Sequence, residues 1–128
     1  MTRVVLRWIP ALLWAAAIYV VSAQSSVSIP SFRSSDKVLH FCAYALLGFL
    51  LAHAVSSSGL SPRWAVALGW LYGASDEFHQ SFVPGRSADP ADWAADALGV
   101  LAGTFVYTRI QAWWRGRAPA APAPGTDR

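Results

Sequence analysis

The sequence predicts an all-α protein, a bundle of four transmembrane helices with both termini inside. Three observations carry that prediction. The 128-residue chain is 55% hydrophobic and only 13% charged, against about 25% charged residues in an average soluble domain. Its apolar residues fall into four runs of near-bilayer length, separated by short polar connectors. Its acids gather at one end of those runs: Asp36, Asp76, Glu77, Asp89, Asp92 and Asp96 are six of the seven, and Asp127 alone lies elsewhere. A mean hydropathy of +0.35 agrees with a membrane solvent.

The first run, Val4 to Ala23, has Arg3 and Arg7 at its start, Trp8 near that end and Tyr19 near the other. Aromatic residues at both edges suit the two membrane interfaces. A basic start, an apolar middle and Val21-Ser22-Ala23 also suit a cleavable signal peptide. The stretch is long for that role and Pro10 falls early, so it reads as a retained helix. No charge lies in its middle, and a peripheral anchor is expected. Gln24 to Ser35 is a Ser-rich loop with a proline.

Asp36 opens the second run, Asp36 to Val55, where a carboxylate favours the positive end of the helix dipole. Its single cysteine, Cys42, excludes an intramolecular disulfide and is expected in the core. Ser56 to Arg63 is a short turn. Trp64 to Phe82 is the third run, apolar first and polar in its last turns. Val83 to Pro90 is a connector with Pro-Gly and Asp-Pro turn signals. Ala91 to Trp114 is the fourth run. Residues 1–114 form one domain, and 115–128, rich in Arg, Ala, Pro and Gly, are expected to be a disordered cytoplasmic tail.

Basic residues set the orientation. With four helices, Arg3, Arg7, Arg63, Arg109, Arg115, Arg117 and Arg128 fall on one side, and Arg33, Lys37 and Arg86 on the other. Seven of the ten basic residues thus mark the cytoplasmic side. The acid-rich ends of helices two, three and four then share the outer face. The net charge of +3 comes from Arg at the chain ends and does not indicate nucleic acid.

Helical spacing decides which polar groups meet. Asp36, His40 and Tyr44 form one stripe. Gly69, Gly73, Asp76, Glu77 and Gln80 share a face of helix three, and Asp92, Asp96, Gly99 and Gly103 a face of helix four. Glycines four apart let membrane helices approach closely. The two glycine faces are expected to draw helices three and four together and gather the carboxylates above them. A charge at the centre of a membrane helix costs roughly 2.5–3.5 kcal/mol, less near the interface. Such groups need partners, and Lys37, His40 and Arg86 are the available ones. Arg86, in the connector, is expected to fold over the site.

Three blocks carry a resemblance: Asp36-Lys37-x-x-His40-Phe41-x-x-Tyr44-x-x-Leu47-Gly48, Asp76-Glu77-x-x-Gln80-x-Phe82-x-Pro84-Gly85-Arg86, and Asp92-x-x-x-Asp96-x-x-Gly99-x-x-x-Gly103. In this order the sequence resembles the VanZ-like family of small bacterial membrane proteins. It departs from that pattern at Asp96, where the family usually has Asn. The resemblance implies a multi-pass protein of the cytoplasmic membrane with a cell-envelope role. The family takes its name from an accessory protein associated with resistance to the glycopeptide teicoplanin, and no reaction is established for it.

Three function classes stay open from the residues. As an enzyme or metal-assisted site, Asp36, His40, Asp76 and Glu77 are the catalytic candidates, and with Asp92 and Asp96 they are able to hold a divalent cation. No His-x-x-x-His or Glu-x-x-His pair lies on one helix face, so no metal ligand is assigned and no cofactor is expected. As a binding module, Lys37, Tyr44, Gln80, Arg86, Asp92 and Asp96 line the site. Lys37 and Arg86 would hold an anionic group, and Tyr44 and Trp93 would flank a lipid or sugar. As a structural element, the polar groups pair with one another and fix helix register. The expected partners are membrane lipids and lipid-linked envelope precursors, with oligomeric state open. His53 and His79 read as interfacial residues, Asp89 as a helix start, and Trp8, Trp113 and Trp114 as interfacial anchors. There is no Gly-rich phosphate loop, nucleophile elbow or zinc-protease motif.

Overall fold

The computed structural model describes residues 2–25 and 33–117, and these form helices and turns without a strand. The helices are α1 (Thr2–Leu6), α2 (Ile9–Ser22), α3 (Arg33–Ser57), α4 (Arg63–Gln80) and α5 (Pro90–Gly116). Most of the Ser-rich loop and the tail from residue 118 lie outside the described residues. The first apolar run is not one helix. It breaks at Arg7–Trp8, and Pro10 enters the first turn of α2. Proline lacks an N–H and its ring clashes with the carbonyl four residues back, so the ladder stops there. The fourth helix runs past Trp114 to Gly116, two residues into the expected tail.

The turns use local chemistry. α3 ends with Gly59 at φ 77°. Leu60 N donates to Val55 O and Gly59 N to Ser56 O, which closes the helix end as a Schellman motif. α5 starts at Asp89, whose extended backbone and side chain cap the helix by accepting from Ala91 N at 2.8 Å. Pro90 follows at the first helical turn, where its missing N–H costs nothing.

Partner pairs fix the topology. α3 and α5 run parallel, because Lys37 meets Asp92, His40 meets Asp96 and Gly48 meets Thr104. α2 and α4 run the opposite way, with Ala15 against Tyr72 and Ser22 against Asp76. The end of α2, the start of α3, the end of α4 and the start of α5 therefore share one end of the bundle. The other end is tied by Arg7 Nη1 to Ser57 Oγ at 3.1 Å and Trp8 Nε1 to Ser58 Oγ at 3.0 Å. Trp8 is thus bonded into the bundle as well as placed near its end.

Close approach is centred on α3 and α5. A Cβ at Gly48 would collide with the Val100 backbone, at Gly99 with the Phe41 carbonyl, and at Gly103 with the Ala45 carbonyl. This corrects the expected pairing. The glycines of α5 face α3, not α4. Gly69 and Gly73 of α4 instead receive Val100 and Asp96 of α5, with Tyr44 of α3 beside Gly73. Spacing marks a face as small and leaves open which neighbour fills it.

The core is thin: Tyr44, Leu47, Ala52, Val55, Ala65 and Val100 are buried. Much larger apolar groups point outward, including Leu71, Phe78, Leu98 and Phe105 at more than half exposure. Cys42 also faces outward, which corrects the expected core position. It stands one residue from Phe41, on the side of α3 turned away from the Tyr44 stripe. Two segments, Val4–Ser22 and Asp36–Ser57, are long and apolar enough to cross a membrane, with mean hydropathies of 2.0 and 1.9.

Candidate functional site

Four helices bring polar side chains to the shared end. Asp76, in the penultimate turn of α4, is 3% exposed and accepts from Ser22, from Tyr44 OH at 3.2 Å and from Gln80 Nε2 at 3.2 Å. Its oxygens thus receive donors from α2, α3 and α4. Asp76 ties three helices together, and its capacity for further partners is largely used. Tyr44 is buried at 1% exposure and is committed to Asp76. It is a core residue, not the ligand-flanking aromatic that the sequence suggested. Trp93 lies on the outside, with its Nε1 donating to Trp70 O at 3.4 Å.

The start of α5 meets the start of α3. Lys37 Nζ donates to Asp92 Oδ1 at 2.7 Å and to Asp89 Oδ2 at 3.0 Å. Lys37 is half-buried, so these ion pairs sit at the mouth of the cluster. Asp89 is the helix start that the sequence suggested, and it also holds Lys37. Asp36 is exposed at the same mouth. Arg86 is half-buried and makes no ion pair among the described residues. The expected fold of Arg86 over the carboxylates is not seen, and Lys37 occupies that role.

Deeper in, His40 Nδ1 lies 2.9 Å from Asp96 Oδ1. Glu77 Oε2 accepts from Asp89 N at 2.9 Å. Each of these carboxylates has one oxygen held and one without a partner: Glu77 Oε1 and Asp96 Oδ2 are buried and unbonded. Asp96 is 1% exposed and Glu77 6%. Most buried polar groups in folded proteins have a partner, so these two orphaned oxygens are informative. His40, Glu77 and Asp96 each offer one ligand atom within 4.8 Å of the others, and so do Asp36, His40 and Asp92.

Two participants were not legible. Ser22 donates to Asp76 from the end of α2. The first helix is therefore more than a peripheral anchor: largely exposed, it still completes the Asp76 node. A serine closing an apolar run carries no signal of its partner. His79 packs against Tyr19 with ring centroids 4.6 Å apart, a contact between α4 and α2. His53 lies at the opposite end, 6.0 Å from the Tyr107 ring, away from the cluster as expected.

The sequence blocks and the geometry coincide at Lys37–Asp92, His40–Asp96 and Tyr44–Asp76. A protein-family model described as VanZ/LLP1 matches residues 2–112. No curated protein and no solved structure gives a match. The matched span takes in α1 to α4 and most of α5 and includes every residue of the cluster. With two helical segments able to cross a bilayer, the chain is a membrane protein and belongs to the VanZ/LLP1 family.

Proposed function

We propose that the chain spans the bacterial cytoplasmic membrane four times, with both termini inside. Its outer polar site binds an envelope lipid or lipid-linked precursor and thereby alters susceptibility to teicoplanin-type glycopeptides. Two segments, Val4–Ser22 and Asp36–Ser57, are apolar enough on average to span the bilayer. α4 and α5, of 18 and 27 residues, are about 27 and 40 Å long, against a hydrocarbon core of about 30 Å. Their carboxylates are turned inward while Leu71, Phe78, Leu98 and Phe105 face out. Average hydropathy mixes the two faces and so understates them. Contacts of Ser22, Ala15 and Trp14 with α3 and α4 support retention of the first span.

The observation that carries a binding role is the pair of orphaned oxygens, Glu77 Oε1 and Asp96 Oδ2. A network that only fixed register would gain by closing them, since an unpaired buried polar group is costly. The surplus of carboxylates selects hydrogen-bond donors or a cation, not the anionic group first expected at Lys37 and Arg86. A structural reading is favoured by Asp76, whose partners span three helices. The test is mass spectrometry of the protein released from membranes into detergent. A lipid or precursor retained by the intact chain and lost from a Glu77→Gln/Asp96→Asn variant of equal folded yield supports binding. Identical lipid content in both removes it. An unchanged teicoplanin response on expression in a host lacking such proteins removes the link to the drug.

A further inference from the structure

We propose that His40, Glu77 and Asp96 bind one divalent transition-metal ion, zinc or manganese, at the outer end of the bundle. Three independent features converge there. The first is distance: the three ligand atoms lie within 4.8 Å of one another. A tetrahedral zinc with bonds of about 2.0–2.2 Å holds its donors roughly 3.3–3.6 Å apart. The ligand atoms must draw together by up to roughly 1.5 Å on binding.

The second feature is orphaned donors. Glu77 Oε1 and Asp96 Oδ2 are buried with no partner, and both belong to this triad. Their sister oxygens are held, Glu77 Oε2 by Asp89 N at 2.9 Å and Asp96 Oδ1 by His40 Nδ1 at 2.9 Å. Each carboxylate is thus held at one oxygen and keeps the other unsatisfied, as outer partners commonly leave metal ligands. Asp89 itself is fixed as the cap of α5 and by Lys37. The orientation of Glu77 is therefore built into the fold.

Charge is the third. Asp36, Asp76, Glu77, Asp92 and Asp96 collect at this end, where Lys37 pairs with Asp92 at 2.7 Å and His40 lies 2.9 Å from Asp96. A divalent ion offsets that excess where water is scarce.

The second triad, Asp36, His40 and Asp92, shares His40. It is the weaker site, because Asp36 is exposed and Asp92 is already held by Lys37 at 2.7 Å. One imidazole with two carboxylates suits zinc or manganese better than calcium, which takes six to eight oxygens. Three protein ligands also leave a coordination position open. The metal site stands without the envelope-ligand reading above, and the two fail separately.

The experiment is titration of the full-length, chelator-stripped protein in detergent with zinc chloride or manganese chloride. It is followed by calorimetry and by metal analysis after desalting. One ion per chain is expected. Glu77→Gln and Asp96→Asn should each weaken binding by roughly tenfold or more, whereas Asp36→Asn should leave it unchanged. No stoichiometric uptake of either ion would overturn the proposal, as would uptake indifferent to both inner substitutions. Uptake lost only in Asp36→Asn would overturn the assignment to the inner triad. If the inner variants do not fold, cobalt chloride added to the wild-type chain decides. Visible bands of four-coordinate cobalt with a nitrogen ligand support the site, and their absence at saturating cobalt overturns it. Metal uptake without any drug or lipid phenotype would leave this site standing and remove the reading before it.

Discussion

Gly99→Ala is the substitution that most directly links helix packing to the polar site. In α5, Gly99 faces the α3 backbone two turns below the mouth of the cluster. An added Cβ would collide with the Phe41 carbonyl oxygen and lie 3.0 Å from Ala45 N and 3.2 Å from Phe41 C. Carbon contacts are comfortable at about 3.5–4.0 Å, so α3 and α5 must part by up to roughly an ångström. The clash involves backbone on the α3 side, so no rotamer relieves it. Overpacking of this kind costs about 1–3 kcal/mol. Phe41 is the neighbour of His40, and the same displacement lengthens the 2.9 Å contact between His40 and Asp96 past hydrogen-bonding range. Thermal unfolding in detergent measures the first effect, with Gly116→Ala as the control, because a Cβ there meets nothing within 4 Å. Gly99→Ala should melt clearly lower than Gly116→Ala. Equal melting temperatures would refute the parallel, glycine-mediated packing of α3 on α5.

Other perturbations separate the parts of the cluster. Asp76→Ala leaves Ser22, Tyr44 and Gln80 without their acceptor and should lower folded yield, at about 1.5–3 kcal/mol for hydrogen bonds to a charged group, read by size-exclusion of a fluorescent fusion. Ser22→Ala should weaken the same node in part, and it should couple to Tyr44→Phe in a double-mutant cycle, whereas additive effects would mean the two do not share Asp76. Asp89→Ala removes the α5 cap, worth about 0.5–2 kcal/mol, and should raise hydrogen exchange at Ala91 to Trp93. Topology is checked on a Cys42→Ser background. Ser87→Cys should react with an impermeant maleimide in intact cells and Ser61→Cys only after permeabilisation, and the reverse pattern would invert the proposed orientation.

Spacing fixes which residues share a helix face, and so which of them are able to meet one neighbour. Residues three or four apart share a helix face, so Lys37 and His40 of α3 lie against Asp92 and Asp96 of α5, whereas Asp36, four before His40, is exposed. The all-helical fold and family were legible for the same reason. What spacing cannot show is the partner of a small or uncharged group. Ser22 ended an apolar run with nothing to mark it as a donor to Asp76. The glycines of α5 were visible as a small face, but that α3 fills it depends on the parallel placement of the two helices. Arg86 was assigned by charge, and a long side chain on a loop is free to point elsewhere. Cys42 was placed in the core by its apolar neighbours. In a membrane bundle apolar neighbours mark the lipid face as readily as the interior.

On the proposed reading Glu77 is held for a ligand while Asp76, one residue earlier, ties the helices together. Expression of the intact chain, Glu77→Gln and Asp76→Asn in a host lacking VanZ-like proteins tests it, with folded membrane yield and teicoplanin susceptibility read in the same cells. The intact chain should shift susceptibility, Glu77→Gln should lose the shift at unchanged yield, and Asp76→Asn should lose yield and shift together. Yield lost in both variants, or a shift kept by Glu77→Gln, would contradict it and leave the cluster as a device for helix register.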